Sequence, residues 1–294
     1  MLLIDSFLEY LNFERNYSEK TIRAYRDDIL QFEAFVNKET GDLTPEEVEA
    51  PVIREWVISL MNQGYTSTSI NRKLSSLRSF YRFLLRRGLI TVDPVPKVVR
   101  PKNKKVLPTF VREEDMDRLL DEADCDGSFE ECRNRMVILM FYSTGMRRAE
   151  LIGLDDKDVD CSTLLIKVTG KRNKQRLIPF GEELRTEIQE YLNKRKEAVG
   201  ETSGPFLVKN NGERLTESIV TKIVKQGLSK VTTVKKRSPH VLRHTFATTM
   251  LNNEAELGAI KELLGHESLA ATEIYTHTTF EELKRMYNQA HPRA

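Results

Sequence analysis

The chain has 294 residues. This length exceeds that of most domains built around a single hydrophobic core and indicates two domains. Its 46 Lys and Arg against 44 Asp and Glu give a net charge of only +2, so overall charge does not reveal a nucleic-acid partner. Cys125, Cys132 and Cys161 lack metal-type or disulfide-type spacing, which excludes a disulfide scaffold and fits reduced thiols. The N-terminus, interrupted by Asp5 and Glu9, matches neither a signal peptide nor a membrane span. We therefore expect a cytoplasmic protein.

The first 96 residues are predicted to be helical throughout. Apolar residues recur at helical spacing after Ser18 and again over residues 66–87, and residues 44–47 have the pattern of a capping box. The helix at 66–87 carries cations and no anion outside its apolar stripe, which favours contact with DNA phosphates. These cations are Arg72, Lys73, Arg78, Arg82, Arg86 and Arg87.

The basic, proline-bounded segment 97–108 is predicted to be a linker. Residues 97–105 hold five cations and no anion, and Lys102 and Lys104 among them are expected to contact DNA. Two lobes joined by such a tether could close around a duplex with more contact area than one lobe.

Residues 109–294 form the second predicted domain, an α+β domain. Helices are expected near 111–115 and 136–142, followed by two strands joined by the turn at 170–174 and by further helices. The predicted fold class is therefore mainly α with a small β-sheet or hairpin, preceded by an all-helical N-terminal domain.

All five histidines lie in the last 55 residues. Ser238 and Pro239 are predicted to start a helix whose first turn presents His240 and Arg243 together, while His266 follows the glycine that ends the next helix. Tyr275 comes nine residues later. Arginine and histidine can stabilise phosphate oxyanions and a tyrosine oxygen can attack phosphorus, chemistry that needs neither metal nor cofactor.

Together these motifs resemble the tyrosine recombinases of the phage-integrase type. That family carries an arginine, a lysine, His-x-x-Arg, Leu-Gly-His and a nucleophilic tyrosine in this order, and each has a match in the chain. The implied catalytic residues are Arg147, Lys171, His240, Arg243, His266 and Tyr275. The resemblance also implies that residues 1–96 are a helical core-binding domain of the SAM-like type and 109–294 a catalytic domain.

The resemblance assigns a role to each group. Tyr275 attacks a backbone phosphorus to give a 3′-phosphotyrosyl bond, and His240 takes the tyrosine proton. Arg147 and Arg243 clamp the nonbridging oxygens, to which His266 adds a hydrogen bond.

The remaining groups lie near the two predicted strands. Lys171, at the turn, protonates the leaving 5′ oxygen, with Lys174 as the alternative acid on the same turn and a further expected DNA contact. Glu150, three residues after Arg147, is expected to orient it by an ion pair.

A finer resemblance, carried by residues 242–248, 274–277 and 291–294, is to bacterial Xer recombinases and among them to XerD. It implies resolution of chromosome dimers at a dif-type site in double-stranded DNA, by a homo- or hetero-tetramer on two duplexes. A second Xer recombinase and a DNA translocase are further candidate partners, and no membrane is involved. An integrase or transposase of a mobile element, a type IB topoisomerase and a non-catalytic DNA-binding protein remain alternatives.

The last 19 residues carry an apolar stripe of Phe280, Leu283 and Met286 or Tyr287 at helical spacing. The stripe could pack on its own domain. The resemblance favours docking on a neighbouring protomer in a ring of four.

Overall fold

The computed structural model describes residues 2–41, 43–103, 109–121, 127–170, 173–201, 204–232, 234, 236–265 and 280–294. The chain divides into two compact units, Met1–Val106 and Leu107–Ala294. Nowhere in those ranges does a helix combine the length and apolar character needed to cross a membrane.

The first unit is helical in all its described regular elements. Ser18 and Thr66 act as N-caps, because their hydroxyl oxygens accept hydrogen bonds from the amides of Thr21 at 3.4 Å and Ser69 at 3.3 Å. The predicted helix starts are therefore confirmed. The helices are α1 (Leu2–Glu9), which continues as a π-helical turn over Tyr10–Glu14, α2 (Glu19–Thr40), α3 (Ala50–Asn62) and α4 (Ser67–Arg86).

The core of the first unit lies between α2, α3 and α4. Phe32 and Trp56 meet edge-to-face with their ring centroids 4.9 Å apart, and Leu77 of the predicted α4 stripe is buried in the same core. Val95, the first residue of a 3₁₀ turn over Val95–Lys97, and Val98, which follows that turn, are buried in the same core. The packed part of this unit thus reaches residue 98.

The second unit surrounds one strongly buried helix with helices and a small sheet. The strands β1 (Val159–Asp160), β2 (Leu165–Thr169) and β3 (Gln175–Pro179) form an antiparallel sheet in chain order. Two strands were predicted; the third has only two residues, too few to show alternation. The helices are α5 (Glu113–Asp121), the buried α6 (Phe129–Thr144), α7 (Arg148–Gly153), α8 (Glu182–Val199), α9 (Glu217–Val231), α10 (Pro239–Asn252), α11 (Leu257–Leu264) and α12 (Phe280–Ala290). The predicted fold class is confirmed.

The C-terminal helix α12 packs on its own unit. Leu283 and Tyr287 are buried against Phe246 and Met250 of α10, and the Tyr287 hydroxyl donates to the carbonyl of Ser143 at 3.0 Å. Leu283 and Tyr287 of the predicted stripe are thus covered by an apolar surface of the same chain, while docking on a neighbouring protomer stays a prediction.

The last residues fix the end of α12. His291 is buried, and its Nε2 bonds the carbonyl of Tyr142 at 3.1 Å while its Nδ1 accepts from the amide of Arg293 at 3.1 Å. Arg293 forms ion pairs with Glu183 and with Asp117 and Asp121 on α5. No role was predicted from the sequence for His291 or Arg293.

Acidification is expected to weaken this anchor. Burial lowers the pKa of His291 from 6.5 to about 4, so the unfolded chain binds the proton at higher pH than the folded chain does. The contribution is complete above about pH 6.5 and is lost as the pH falls from 6.5 to 4. Between pH 7 and pH 5 the free energy of unfolding should fall by about 2 kcal/mol from this group.

Urea unfolding followed by circular dichroism at both pH values measures this loss. His291→Gln, whose amide can replace both hydrogen bonds of the neutral ring, should show a smaller pH dependence. Equal pH dependence in the unmodified chain and His291→Gln would contradict the assignment.

Candidate active site

Three guanidinium groups converge on the C-terminal end of α11. Gly265 ends this helix in the left-handed conformation, with φ of 63°, as its position in the sequence predicted. The last carbonyls of a helix lack intrahelical partners and carry the negative end of its dipole, so they attract cations. Arg176 Nε donates to the carbonyl of Leu263 at 2.8 Å, Arg243 Nη2 to that of Leu264 at 2.7 Å and Arg147 Nη2 to that of Gly265 at 2.6 Å.

The buried carboxylate of Glu150 joins two of these arginines. Oε1 accepts from Arg147 Nη1 and Arg176 Nη1, both at 2.8 Å, and Oε2 from the Arg147 amide at 2.7 Å and Arg176 Nη2 at 2.9 Å. Burial alone would raise the pKa of Glu150, but these bonds, with Arg176 foremost, hold it at about 2. The carboxylate therefore stays ionised at neutral pH. The ion pair with Arg147 is the one expected from the sequence.

Arg176 was not assigned a role from the sequence. It pairs with Val168 in the β2–β3 register and lies on the same face of β3 as the buried Ile178. Strand alternation therefore contained the signal, because an arginine on the inward face of a strand needs a buried partner.

Arg243 is the most buried of the three arginines. Its Nη1 donates to the carbonyl of Gly145 at 2.6 Å, which ties the first turns of α10 to the end of α6. Burial, followed by the neighbouring charge of Arg147, lowers its pKa to about 10. The guanidinium remains charged at neutral pH, and two such cations repel each other. A bound phosphate would relieve that repulsion.

His240 lies on the first turn of α10 as predicted, beside His244. The two rings meet edge-to-face with their centroids 4.5 Å apart, and the His240 side chain reaches the surface. Partial desolvation lowers the pKa of His240, and the charges of His244, Lys236 and Arg243 lower it further. The imidazole is therefore neutral at neutral pH, the form that accepts a proton.

Four residues with predicted roles lie outside the described residues: Lys104, Lys171, His266 and Tyr275. The residues beside two of them border the arginine cluster. Gly170, which precedes Lys171, lies so close to Glu150 that a methyl group on it would be 3.4 Å from Oε1. Gly265, which precedes His266, accepts the hydrogen bond from Arg147. Lys174, the alternative acid, is exposed at the other end of the turn.

The first two cations of α4 bind a buried aspartate. Arg72 donates to Asp28 Oδ2 at 2.5 Å and Oδ1 at 2.9 Å, and Lys73 Nζ donates to Oδ1 at 3.0 Å and to Gln31 at 2.5 Å. Ser76 adds a hydrogen bond to Oδ2 at 2.7 Å. The expectation that Lys73 lies on the DNA-facing surface is wrong, because it is 6% exposed and neutralises the buried carboxylate. Arg72 remains half-exposed.

The remaining predicted DNA contacts differ in exposure. Arg82 and Lys102 are exposed, and Arg78 is half-buried. Arg86 donates to the hydroxyl of Tyr10 at 2.7 Å across to the π-helical turn. Contact of these four side chains with DNA stays a prediction.

Asp28→Asn is expected to destabilise the first unit strongly. Removing one partner from a buried ion pair leaves the Lys73 charge uncompensated, which costs about 3–5 kcal/mol. Trp56 is the only tryptophan and is buried in this unit, so its fluorescence during urea unfolding reports the change. The control is Glu14→Gln, which breaks an exposed ion pair with Arg87 and should cost at most about 1 kcal/mol. Similar losses in both variants would contradict the buried-pair account.

Two family models match the chain. One described as the phage integrase family matches residues 109–282, and one described as the phage integrase N-terminal SAM-like domain matches residues 4–88. The chain belongs to the phage integrase family of tyrosine recombinases.

Curated members of this family resemble the chain over nearly its whole length. Tyrosine recombinase XerC of Chlorobaculum tepidum is 39% identical, covering 99% of this chain and 94% of its own. XerC of Listeria monocytogenes serotype 4a is 40% identical, covering 99% and 98%. A solved structure of the XerH recombinase bound to a palindromic difH substrate has a TM-score of 0.72 at 22% identity, covering 92% and 80%, and shows the common fold.

Proposed function

We propose that this site-specific recombinase is of the Xer type and resolves chromosome dimers at a dif-type site. The observation that carries the proposal is the convergence of Arg147, Arg243 and Glu150 beside Gly170 and Gly265. The similarity to XerC proteins over 99% of the chain supports the Xer assignment. Because the substrate is chromosomal DNA, the protein would act in the cytoplasm.

The proposed division of labour follows the two units. Residues 1–96 would be the core-binding domain, 97–108 a basic linker and 109–294 the catalytic domain. The proposed DNA contacts are Arg72, Arg78, Arg82, Arg86, Lys102, Lys104 and Lys174.

In the proposed reaction the Tyr275 oxygen attacks the scissile phosphorus. The tyrosine proton passes to the neutral His240, and the phosphorus loses its bond to the 5′ oxygen of the next nucleotide. A 3′-phosphotyrosyl bond replaces a phosphodiester bond, so no nucleotide cofactor is consumed. The reverse attack by a 5′ hydroxyl of another strand rejoins the DNA.

Charge on the nonbridging oxygens would be balanced by Arg147, Arg243 and His266. Arg147 and Arg243 have N–H donors that are not bonded to Glu150 or to backbone carbonyls, and these donors can bind the phosphate oxygens from two directions. A planar guanidinium matches the geometry of a phosphate better than an ammonium group does. The role of His266 follows from its place in the family motif, directly after Gly265.

Lys171 is proposed to protonate the leaving 5′ oxygen, with Lys174 as the alternative. Lys171→Ala should therefore be nearly inactive on normal DNA and largely restored on a site with sulfur in place of the bridging 5′ oxygen, because a thiolate leaves without a proton. Single-turnover cleavage of both substrates measures this. If Lys171→Ala lost the same activity on both substrates, Lys171 would not be the general acid. The sulfur substrate would then be expected to restore cleavage by Lys174→Ala instead.

A plasmid with two directly repeated dif-type sites from the same chromosome tests the proposed function. Resolution into two circles supports a recombinase that acts there. Relaxation of a supercoiled plasmid that has no such site would indicate a type IB topoisomerase, and activity only at the ends of a mobile element would indicate an integrase or transposase. The finer resemblance to XerD is not supported by the XerC names of the relatives and stays a prediction. The same reaction, run with this protein alone, shows whether a second Xer recombinase is required.

A further inference from the structure

Arg176 joins three elements through one guanidinium group. From β3 it holds both oxygens of Glu150 on α7, at 2.8 and 2.9 Å, and its Nε donates to the Leu263 carbonyl at the end of α11 at 2.8 Å. Its side chain is 17% exposed. The end of α11 is closely packed against it, since a methyl group on Gly265 would lie 3.1 Å from its Nη1.

We propose that Arg176 is a positioning residue for cleavage, which sets the orientation of Arg147 through Glu150 and fixes the end of α11 that leads into His266. The inference rests on the proposed function. β3 is also the second strand of the hairpin that carries Lys171. The Arg176 side chain would therefore connect the elements that position Arg147, Lys171 and His266.

The hydrogen-bond pattern of Glu150 explains how Arg176 could act. Each carboxylate oxygen accepts one bond from Arg176, and Oε2 also accepts one from the Arg147 amide, so the Arg147 guanidinium donates only to Oε1. Its second terminal nitrogen donates to Gly265 instead. Without Arg176, Oε2 would have an acceptor position free for the Arg147 guanidinium in addition to its bond from the Arg147 amide, and a bidentate pair is the favoured geometry of arginine with a carboxylate. That rotation would take donors of Arg147 away from a phosphate.

Charge favours the same arrangement. Glu150 carries one negative charge between two guanidinium groups, so the cluster with Arg243 keeps a net charge of +2 for the scissile phosphate. A lysine at position 176 would keep this charge but cannot form two parallel bonds and a third from the same planar group. Geometry and charge can therefore be separated by substitution.

The test compares Arg176→Lys and Arg176→Gln with a matched control, Arg195→Lys. Arg195 is similarly buried in the same unit and forms a bidentate pair with Asp156, with further bonds to the carbonyls of Pro205 and Phe206. Arg195 contacts none of the proposed catalytic residues in the described contacts. Thermal unfolding, binding to a dif-type duplex and single-turnover formation of the covalent complex are measured for each variant.

We expect Arg176→Lys to lower the cleavage rate by about 10- to 100-fold, the size of effect that a misplacement near 1 Å can cause. Duplex affinity and the fall in Tm should match those of Arg195→Lys, which should cleave at the rate of the unmodified protein. The loss in Arg176→Gln should be at least as large, because charge and geometry are both removed.

A substrate with an uncharged scissile phosphate gives a readout that a purely structural role would not change. If one nonbridging oxygen is replaced by a methyl group, less charge needs balancing and the orientation of Arg147 matters less. The rate ratio between the unmodified protein and Arg176→Lys should then shrink by about tenfold.

Three results would overturn the inference: cleavage by Arg176→Lys at the unmodified rate, an equal defect on both substrates, or unfolding of both Arg176 variants under conditions where Arg195→Lys stays folded. The last would make Arg176 a stability residue only. Failure of the unmodified protein to form any covalent complex would instead contradict the proposed function.

Discussion

Tyr275→Phe is expected to eliminate the covalent protein–DNA complex completely. The substitution removes the oxygen that is proposed to attack phosphorus and leaves the ring, so duplex binding should persist. A substrate nicked just downstream of the scissile phosphate releases a short fragment with a free 5′ hydroxyl after cleavage. Its loss traps the intermediate, and a denaturing gel measures it.

Tyr287→Phe is the matched control, since Tyr287 is the other tyrosine of the C-terminal segment. Its ring is fully buried and its hydroxyl donates to the Ser143 carbonyl, and burial raises its pKa. A buried hydroxyl in a hydrogen bond cannot reach a phosphate. The variant should lose about 1 kcal/mol of stability and keep the covalent complex. Loss of the complex in Tyr287→Phe and its retention in Tyr275→Phe would refute the assignment.

Arg243→Gln should produce the second-largest loss. Removing one preorganised donor for a developing oxyanion typically lowers the rate by about 10²–10³-fold, and Arg243 supplies charge as well. Part of the effect will be structural, because the carbonyls of Gly145 and Leu264 lose their charged partner. Single-turnover cleavage is measured at saturating DNA, and the folded fraction at the assay temperature is taken from the thermal unfolding curve. Together they separate the catalytic part of the loss from the structural part.

Arg243→Lys separates the contribution of charge from that of donor geometry, since it keeps the charge and loses the planar pair of donors. Its rate should lie between those of Arg243→Gln and the unmodified protein. Cleavage by Arg243→Gln within about threefold of the unmodified rate would show that this guanidinium does not balance the phosphate charge.

Most helices and the β-hairpin could be predicted from local features of the sequence. Ser18 and Thr66 form caps within three residues, and Gly265 ends α11 through its own backbone conformation. Such interactions depend only on neighbouring residues, so the sequence contains them directly. The pairing of Arg147 with Glu150 is equally local, at a spacing of three.

Interactions between distant residues could not be predicted in the same way. Lys73 is indistinguishable in sequence from an exposed lysine, since its partner Asp28 lies 45 residues away. The bonds of Arg176 to Glu150 and Leu263 span 26 and 87 residues. Composition and periodicity indicate which face of an element is apolar but not which charge on another element it meets.

The most direct test of the account is to identify the residue that is joined to DNA. The trapped complex can be digested with protease and nuclease, and the nucleotide-bearing peptide sequenced by mass spectrometry. We expect a peptide from residues 262–284 with a nucleotide on Tyr275, joined through its 3′ phosphate. A nucleotide on any other residue, or a linkage through a 5′ phosphate, would contradict it.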